Sequence, residues 1–200
     1  MNILFTVVHR IVTFIVFLSL AASAFAGGRT EEPPGEAYLP GDAAAAERLE
    51  ALGFVLPERP LPVPDLGFDS LSGGPVYLIE SKGSLVMLNF WASWCPPCRA
   101  EMPSMQRLWE DLEEENFLLY AVSVGERRET AAAFIEEEGY TFPVLLDPAG
   151  VGAEIFQVQG IPVTWLIGPD GLILGRYVGS REWDTEEIID LFEDIIDENK

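Results

Sequence analysis

The 200-residue chain is poor in the residues that build metal sites and disulfide frameworks, with one histidine, His9, and two cysteines, Cys95 and Cys98. A zinc site needs about four nitrogen, sulfur or oxygen ligands, commonly two cysteine pairs or one pair with histidines. One pair and one distant histidine do not supply them, so no metal is expected, and no cofactor. Two cysteines also cannot make the multi-bridge framework of a small secreted domain. A bridge between them would enclose only Pro96 and Pro97, a loop with little entropy to lose in the unfolded chain. Basic residues are scarce too, 12 against 33 acidic ones, for a formal net charge of −21. A polyanion without a basic, aromatic-rich stripe repels phosphate, which excludes nucleic acid as a partner. The acids read as a solvated surface that would stay soluble in high salt, where self-repulsion is screened. There is no internal repeat.

Core material is plentiful: 48% of residues are hydrophobic and 11% aromatic, a composition that folds. Residues 1–26 read as a signal peptide, with Arg10 for positive charge, an apolar run over 11–20 and Ala24-Phe25-Ala26 as a small-x-small cleavage site. Cleavage after Ala26 is the first expectation. Retention as an N-terminal membrane anchor is the alternative, although 11–26 is shorter than the roughly 20 apolar residues that span a bilayer. Either way the remainder is expected to be periplasmic or otherwise extracytoplasmic, where disulfides persist. Residues 27–63, with repeated proline and glycine, read as an acidic tether carrying one short helix over 43–52 behind Asp42 as N-cap. The folded domain is expected over 64–200.

From residue 64 the pattern is regular. Short extended segments at 66–68 and 76–79 flank Ser72-Gly73-Gly74. Residues 85–90 form a nearly unbroken apolar run, as in a strand covered on both faces. After Cys95 the spacing turns helical, with Met102, Met105, Leu108, Trp109 and Leu112 on one side. Pro103 is expected to kink this helix, having no N–H for the carbonyl four residues back. Strands at 117–124, 142–146, 164–167 and 173–177 alternate with helices at 129–138, 152–156 and 185–198, and Pro169-Asp170-Gly171 makes a hairpin turn. The last helix sets Ile188, Ile189, Phe192, Ile195 and Ile196 on one face as a core stripe. The fold class is α/β.

With staple and zinc site set aside, Cys95 and Cys98 read as a redox pair. A strand ending near Trp91 and a helix starting near Cys95 put the first cysteine at a helix N-terminus, where free N–H groups and the dipole stabilise a thiolate. Cys95 is then the nucleophile on a target disulfide, and Cys98, one turn on, resolves the mixed disulfide. Pro96 and Pro97 fit the first helical positions and remove two donors from the thiolate, which favours a reducing pair. Arg99 tunes the thiolate or points to solvent. Glu101, three residues beyond Cys98, accepts that thiol's proton or is an exposed helical glutamate.

The run Asn89-Phe90-Trp91-Ala92-Ser93-Trp94-Cys95-Pro96-Pro97-Cys98-Arg99-Ala100-Glu101-Met102-Pro103 resembles the active-site strand and helix of the TlpA/ResA-like thioredoxin family. Gly160-Ile161-Pro162-Val163-Thr164 and the segment through Gly175-Arg176 are similar to that family's cis-proline loop and closing hairpin. The resemblance covers 64–200. It implies a thioredoxin fold, a central mixed sheet flanked by helices, with an N-terminal β-hairpin and a central αβ insertion over 129–146. It implies that Pro162 is cis and faces the cysteines, that Ile161 pairs with an extended substrate segment, and that Trp94, Pro96 and Pro97 flank the contact with the partner. Asn89 stands where cytoplasmic thioredoxins have a buried aspartate, which turns attention to Glu101. The implied function is an exported, monomeric thiol-disulfide oxidoreductase. Its client would be a disulfide-containing protein, an apocytochrome c in cytochrome c maturation or a copper-assembly protein, and its electrons would come from a CcdA- or DsbD-like membrane donor. The alternatives are a general disulfide-forming oxidase and a redox-inactive client-binding or chaperone module.

Overall fold

The computed structural model describes residues 43–198, so the expected signal peptide and the Asp42 cap lie outside the described residues. The apolar run becomes β3 (Leu85–Trp91), buried at every position, as its lack of alternation predicts. It pairs in parallel with β4 (Phe117–Val124) and antiparallel with β6 (Val163–Ile167). Around it run β1 (Gly67–Ser70), β2 (Pro75–Tyr77), β5 (Val144–Asp147) and β7 (Ile173–Val178), giving one mixed sheet of seven strands in the order β2-β1-β5-β4-β3-β6-β7. The expected hairpin is β1–β2, followed by a 3-10 turn at Leu78–Ser81.

Among the described residues five helices accompany the sheet: α1 (Ala43–Ala51), α2 (Pro96–Leu112), α3 (Arg128–Glu138), α4 (Val151–Ile155) and α5 (Glu186–Asp197). The helix α3 ends where Gly139 takes φ 77, a left-handed cap that glycine adopts without strain. With β5 it forms the expected central insertion. Side chains alternate across β3, so Leu85 and Met87 pack with α2 and α5 while Val86, Leu88 and Phe90 pack on the other face with Ala153 of α4 and Phe156. The same alternation turns Asn89 toward α2.

The helix α2 carries Pro103 inside it, on its exposed side. One expectation is corrected in detail. On α5 the buried stripe is Ile188, Leu191, Phe192, Ile195 and Ile196, with Ile189 only half-buried, because the 3.6-residue repeat selects the third and fourth neighbours of Ile188.

Residues 43–63 differ most from the tether expected of them. Ala46 and Leu49 are fully buried, and Phe54 packs edge-on against Trp183. Val55 exchanges both backbone hydrogen bonds with Arg176, and Leu61 and Val63 bond to Ile173 and Gly171, so this strap runs along the outer edge of β7. Its approach depends on Gly175: a Cβ there would sit 3.0 Å from Leu56 Cδ2 and 3.3 Å from the Val55 carbonyl oxygen.

Candidate active site

The end of β3 delivers the chain to Cys95, the N-cap of α2, with Pro96 and Pro97 in the first two helical positions. Neither proline has an N–H, so Cys98 carries the first amide able to reach the cap, and it donates to the Cys95 sulfur at 3.3 Å. The two sulfurs are bonded, with their Cα atoms 5.3 Å apart. Cys98 is fully buried and Cys95 is 3% exposed, whereas Trp94 stands 68% exposed beside them. Pro96 and Pro97 are also exposed. The Ile161–Pro162 peptide is cis, and the Ile161 carbonyl oxygen lies 3.8 Å from the Cys95 sulfur. The structure thus gathers Trp94, Cys95, Pro96, Pro97, Cys98, Ile161 and Pro162 at one end of β3.

Glu101 is not an exposed helical glutamate. It is 1% exposed, on the face of α2 that covers the sheet. Asn89 Nδ2 donates to its Oε1 at 2.9 Å, while Trp183 Nε1 at 3.0 Å and the Arg181 backbone N–H at 3.3 Å donate to its Oε2. Burial pushes the carboxyl up from its usual 4.5 to about 7, against the pull of these three donors. Asn89 also donates to Thr164 Oγ1 at 2.9 Å, across the register that sets β3 beside β6. An aspartate at 89 would put a second carboxylate where an amide donor now stands. Arg99 is turned away from the sulfurs, paired with Glu138 at 3.3 Å and lying 5.2 Å over the Phe134 ring.

Two supports of the site have no signature in the sequence pattern. Trp183 lies 82 residues from Glu101, and no local pattern links them. Its loop is fixed to α2 by Ser104, whose hydroxyl accepts the Trp183 N–H at 3.0 Å, and by Arg107, which pairs with Asp184 at 2.5 Å and with Glu182 at 3.3 Å. Glu126 is the second. It is 6% exposed just beyond β4, and its carboxylate accepts from the Ser93 N–H at 2.9 Å, from the Ser93 hydroxyl, and from the Ser123 hydroxyl at 2.9 Å. A buried acid with three donors anchors the turn that carries Trp94 into Cys95. Only its place after an apolar strand could have marked it.

A cysteine pair at a helix start, facing a cis-proline loop on a mixed sheet, is matched by known proteins. The model of the AhpC/TSA family matches residues 61–176. The chain belongs to the AhpC/TSA family. It is 33% identical to the thiol-disulfide oxidoreductase ResA of Oceanobacillus iheyensis over 80% of this chain and 75% of the relative. It is 34% identical to the thioredoxin-like protein YneN of Bacillus subtilis, over 64% of this chain and 76% of that protein. The crystal structure of a Chlorobium tepidum protein described as thiol:disulfide interchange protein DsbE superposes with a TM-score of 0.64 at 30% identity, covering 71% of this chain and 99% of that one. The fold is that of thioredoxin, and the chain is a thiol-disulfide oxidoreductase of the ResA and DsbE type, with Cys95 and Cys98 as its Cys-x-x-Cys pair.

Proposed function

We propose that the protein reduces disulfides in protein clients outside the cytoplasm, with Cys95 as nucleophile and Cys98 as resolving thiol. The observation that supports this best is the placement of Cys95. It caps α2 beneath an exposed Trp94 and faces the Ile161 carbonyl, the edge on which an extended client can lie. In the dithiol state the Cys95 thiolate attacks one client sulfur. A mixed disulfide forms, and the second client sulfur leaves as a thiolate. The Cys98 thiolate then attacks the Cys95 sulfur, giving the Cys95–Cys98 disulfide and releasing the first client sulfur as a second thiolate. Two electrons have passed to the client. Glu101, buried one turn beyond Cys98, takes the Cys98 proton before that attack.

The cap supports the reducing direction. One amide, that of Cys98, reaches the Cys95 sulfur, because Pro96 and Pro97 offer none. A weakly stabilised thiolate makes a reducing pair. A reductant outside the cytoplasm must be recharged, so a membrane dithiol donor of the CcdA or DsbD type is part of this reading. The clients would be an apocytochrome c awaiting haem or a copper-assembly protein, each of which must present reduced cysteines. Residues 1–26 would export the chain or anchor it. None of the helices among the described residues is long and apolar enough to cross a membrane.

The test is a trap. A Cys98→Ser variant, expressed with its export segment, should accumulate client proteins bound through Cys95, visible as thiol-sensitive bands by non-reducing electrophoresis and identifiable by mass spectrometry. A Cys95→Ser, Cys98→Ser variant should accumulate none. Absence of any trapped extracytoplasmic thiol protein would sink the client-reductase reading.

A further inference from the structure

The cis-proline loop opens onto two grooves that share side chains. One, of about 380 Å³, is lined by Gln157, Gly160, Ile161, Pro162, Arg176 and Val178. The other, of about 390 Å³, lies between the 55–64 strap and α4 and is lined by Leu61, Ile155, Phe156, Gln157, Trp165 and Arg176. Gln157 and Arg176 belong to both, so the surface is continuous from the residue facing Cys95 to the strap. Its lining is apolar and open: Val178 is 63% exposed, Val55 57%, Ile155 47% and Leu61 40%. A run of exposed apolar side chains leading from a reactive site is the mark of an interaction surface. Its charge is also distinctive. In a chain with 33 acids, Arg176 is the only ionisable side chain among the described residues that line either groove.

Gln157, at the junction, has a backbone that favours another residue. Its φ is 53, the only positive φ outside glycine among the described residues. It follows the C-cap of α4, where the Val158 N–H reaches back to the Ala153 carbonyl at 2.8 Å and the Gln157 N–H to that of Glu154 at 3.0 Å. Glycine is the usual residue at this position, because a Cβ clashes there. A strained residue at the meeting point of two grooves points to a use for its side chain, and an amide offers a donor and an acceptor to a passing peptide backbone.

We propose that the client segment lying on Ile161 continues through the joined grooves past Val178, Gln157 and Arg176 and seats an apolar side chain in the groove formed by Leu61, Ile155, Phe156 and Trp165. The inference rests on the reductase reading. The preferred client is a polypeptide that is extended beside its disulfide, apolar a few residues away, and free of basic residues where it passes Arg176.

The experiment compares synthetic peptides whose disulfide is followed or preceded by a leucine- and phenylalanine-bearing tail with the same peptides carrying serine in the tail. Versions with both cysteines replaced by serine are titrated into the full chain by calorimetry. In one tail direction the apolar peptide should bind about tenfold more tightly than its serine counterpart, the effect of removing most of one apolar side chain from water. Leu61→Asp should erase that difference. Gln157→Gly should weaken the binding of both peptides while raising the melting temperature, a pair of opposite changes that a purely structural glutamine would not produce. Equal affinities for apolar and serine tails in both directions, a preference that survives Leu61→Asp, or unchanged affinities in Gln157→Gly would overturn the proposal. Reduction of hydroxyethyl disulfide by the wild-type dithiol reads the redox assignment separately. Tail preference without that reduction would leave the groove standing and remove the reductase reading.

Discussion

Glu101 is a buried carboxyl on the helix that carries the cysteine pair, one turn beyond Cys98. Its carboxyl is held near 7 by burial, and the sign of the consequence is fixed. Between the usual 4.5 and about 7 the folded chain keeps a proton that the unfolded chain has released. Stability present below that window is therefore lost as pH rises through it, by on the order of 3 kcal/mol for one such group. Glu101→Gln cannot ionise. Urea midpoints measured at about pH 5 and pH 8 should fall less for this variant than for the wild type, and an equal fall in both would refute the assignment. Single-turnover reduction of a small disulfide should also lose its inflection near neutral pH in the variant. In the sequence Glu101 is visible as the one acid just inside the active-site helix. Its burial is not, because the donors come from β3, from the loop before α5 and from an indole 82 residues away. Glu126 is illegible for the same reason: its three hydrogen bonds are made to serines on two different segments.

Among the elements, legibility follows periodicity. The strand β3 is unmistakable because burial on both faces removes every polar residue but Asn89, and α5 because five apolar residues repeat at helical spacing. The segment 43–63 has neither signature. It docks through backbone bridges, Val55 with Arg176 and Pro62 with Leu172, which any side chain can make and no pattern reveals. Its prolines suit an edge, where a missing N–H leaves no gap in the ladder. The helix α1 then carries its share of the core through Leu49, fully buried, and through the surface pair of Arg48 with Asp194 on α5 at 2.5 Å. Leu49→Ala should cost about 2–5 kcal/mol, the range for emptying a well-packed leucine site. Chemical denaturation of the full chain measures it. A change below roughly 0.5 kcal/mol, as for a surface substitution, would return this segment to the status of a tether.

At the scale of the whole molecule the governing quantity is the charge of −21, set by 33 acidic and 12 basic residues. Two opposing effects of salt follow. Screening weakens the favourable pairs of Arg48 with Asp194, Arg99 with Glu138, and Arg107 with Asp184 and Glu182. Such exposed pairs contribute about 0–1 kcal/mol each, so little is lost. Screening also relieves repulsion among the excess acids, including the runs Glu113-Glu114-Glu115 and Glu136-Glu137-Glu138, where like charges adjoin in the sequence. The Debye length shrinks from about 10 Å at 0.1 M to about 3 Å at 1 M, shorter than most separations between surface carboxylates. Repulsion outweighs the pairs because acids outnumber bases almost threefold. The melting temperature should therefore rise by several degrees as sodium chloride increases from about 0.05 to 1 M, given that a domain of this size gains roughly 2–8 °C per kcal/mol. The rise should be smaller at pH 4.5, where the net negative charge and with it the repulsion are reduced. A melting temperature that is flat or falling with salt at neutral pH would show that the ion pairs outweigh the repulsion.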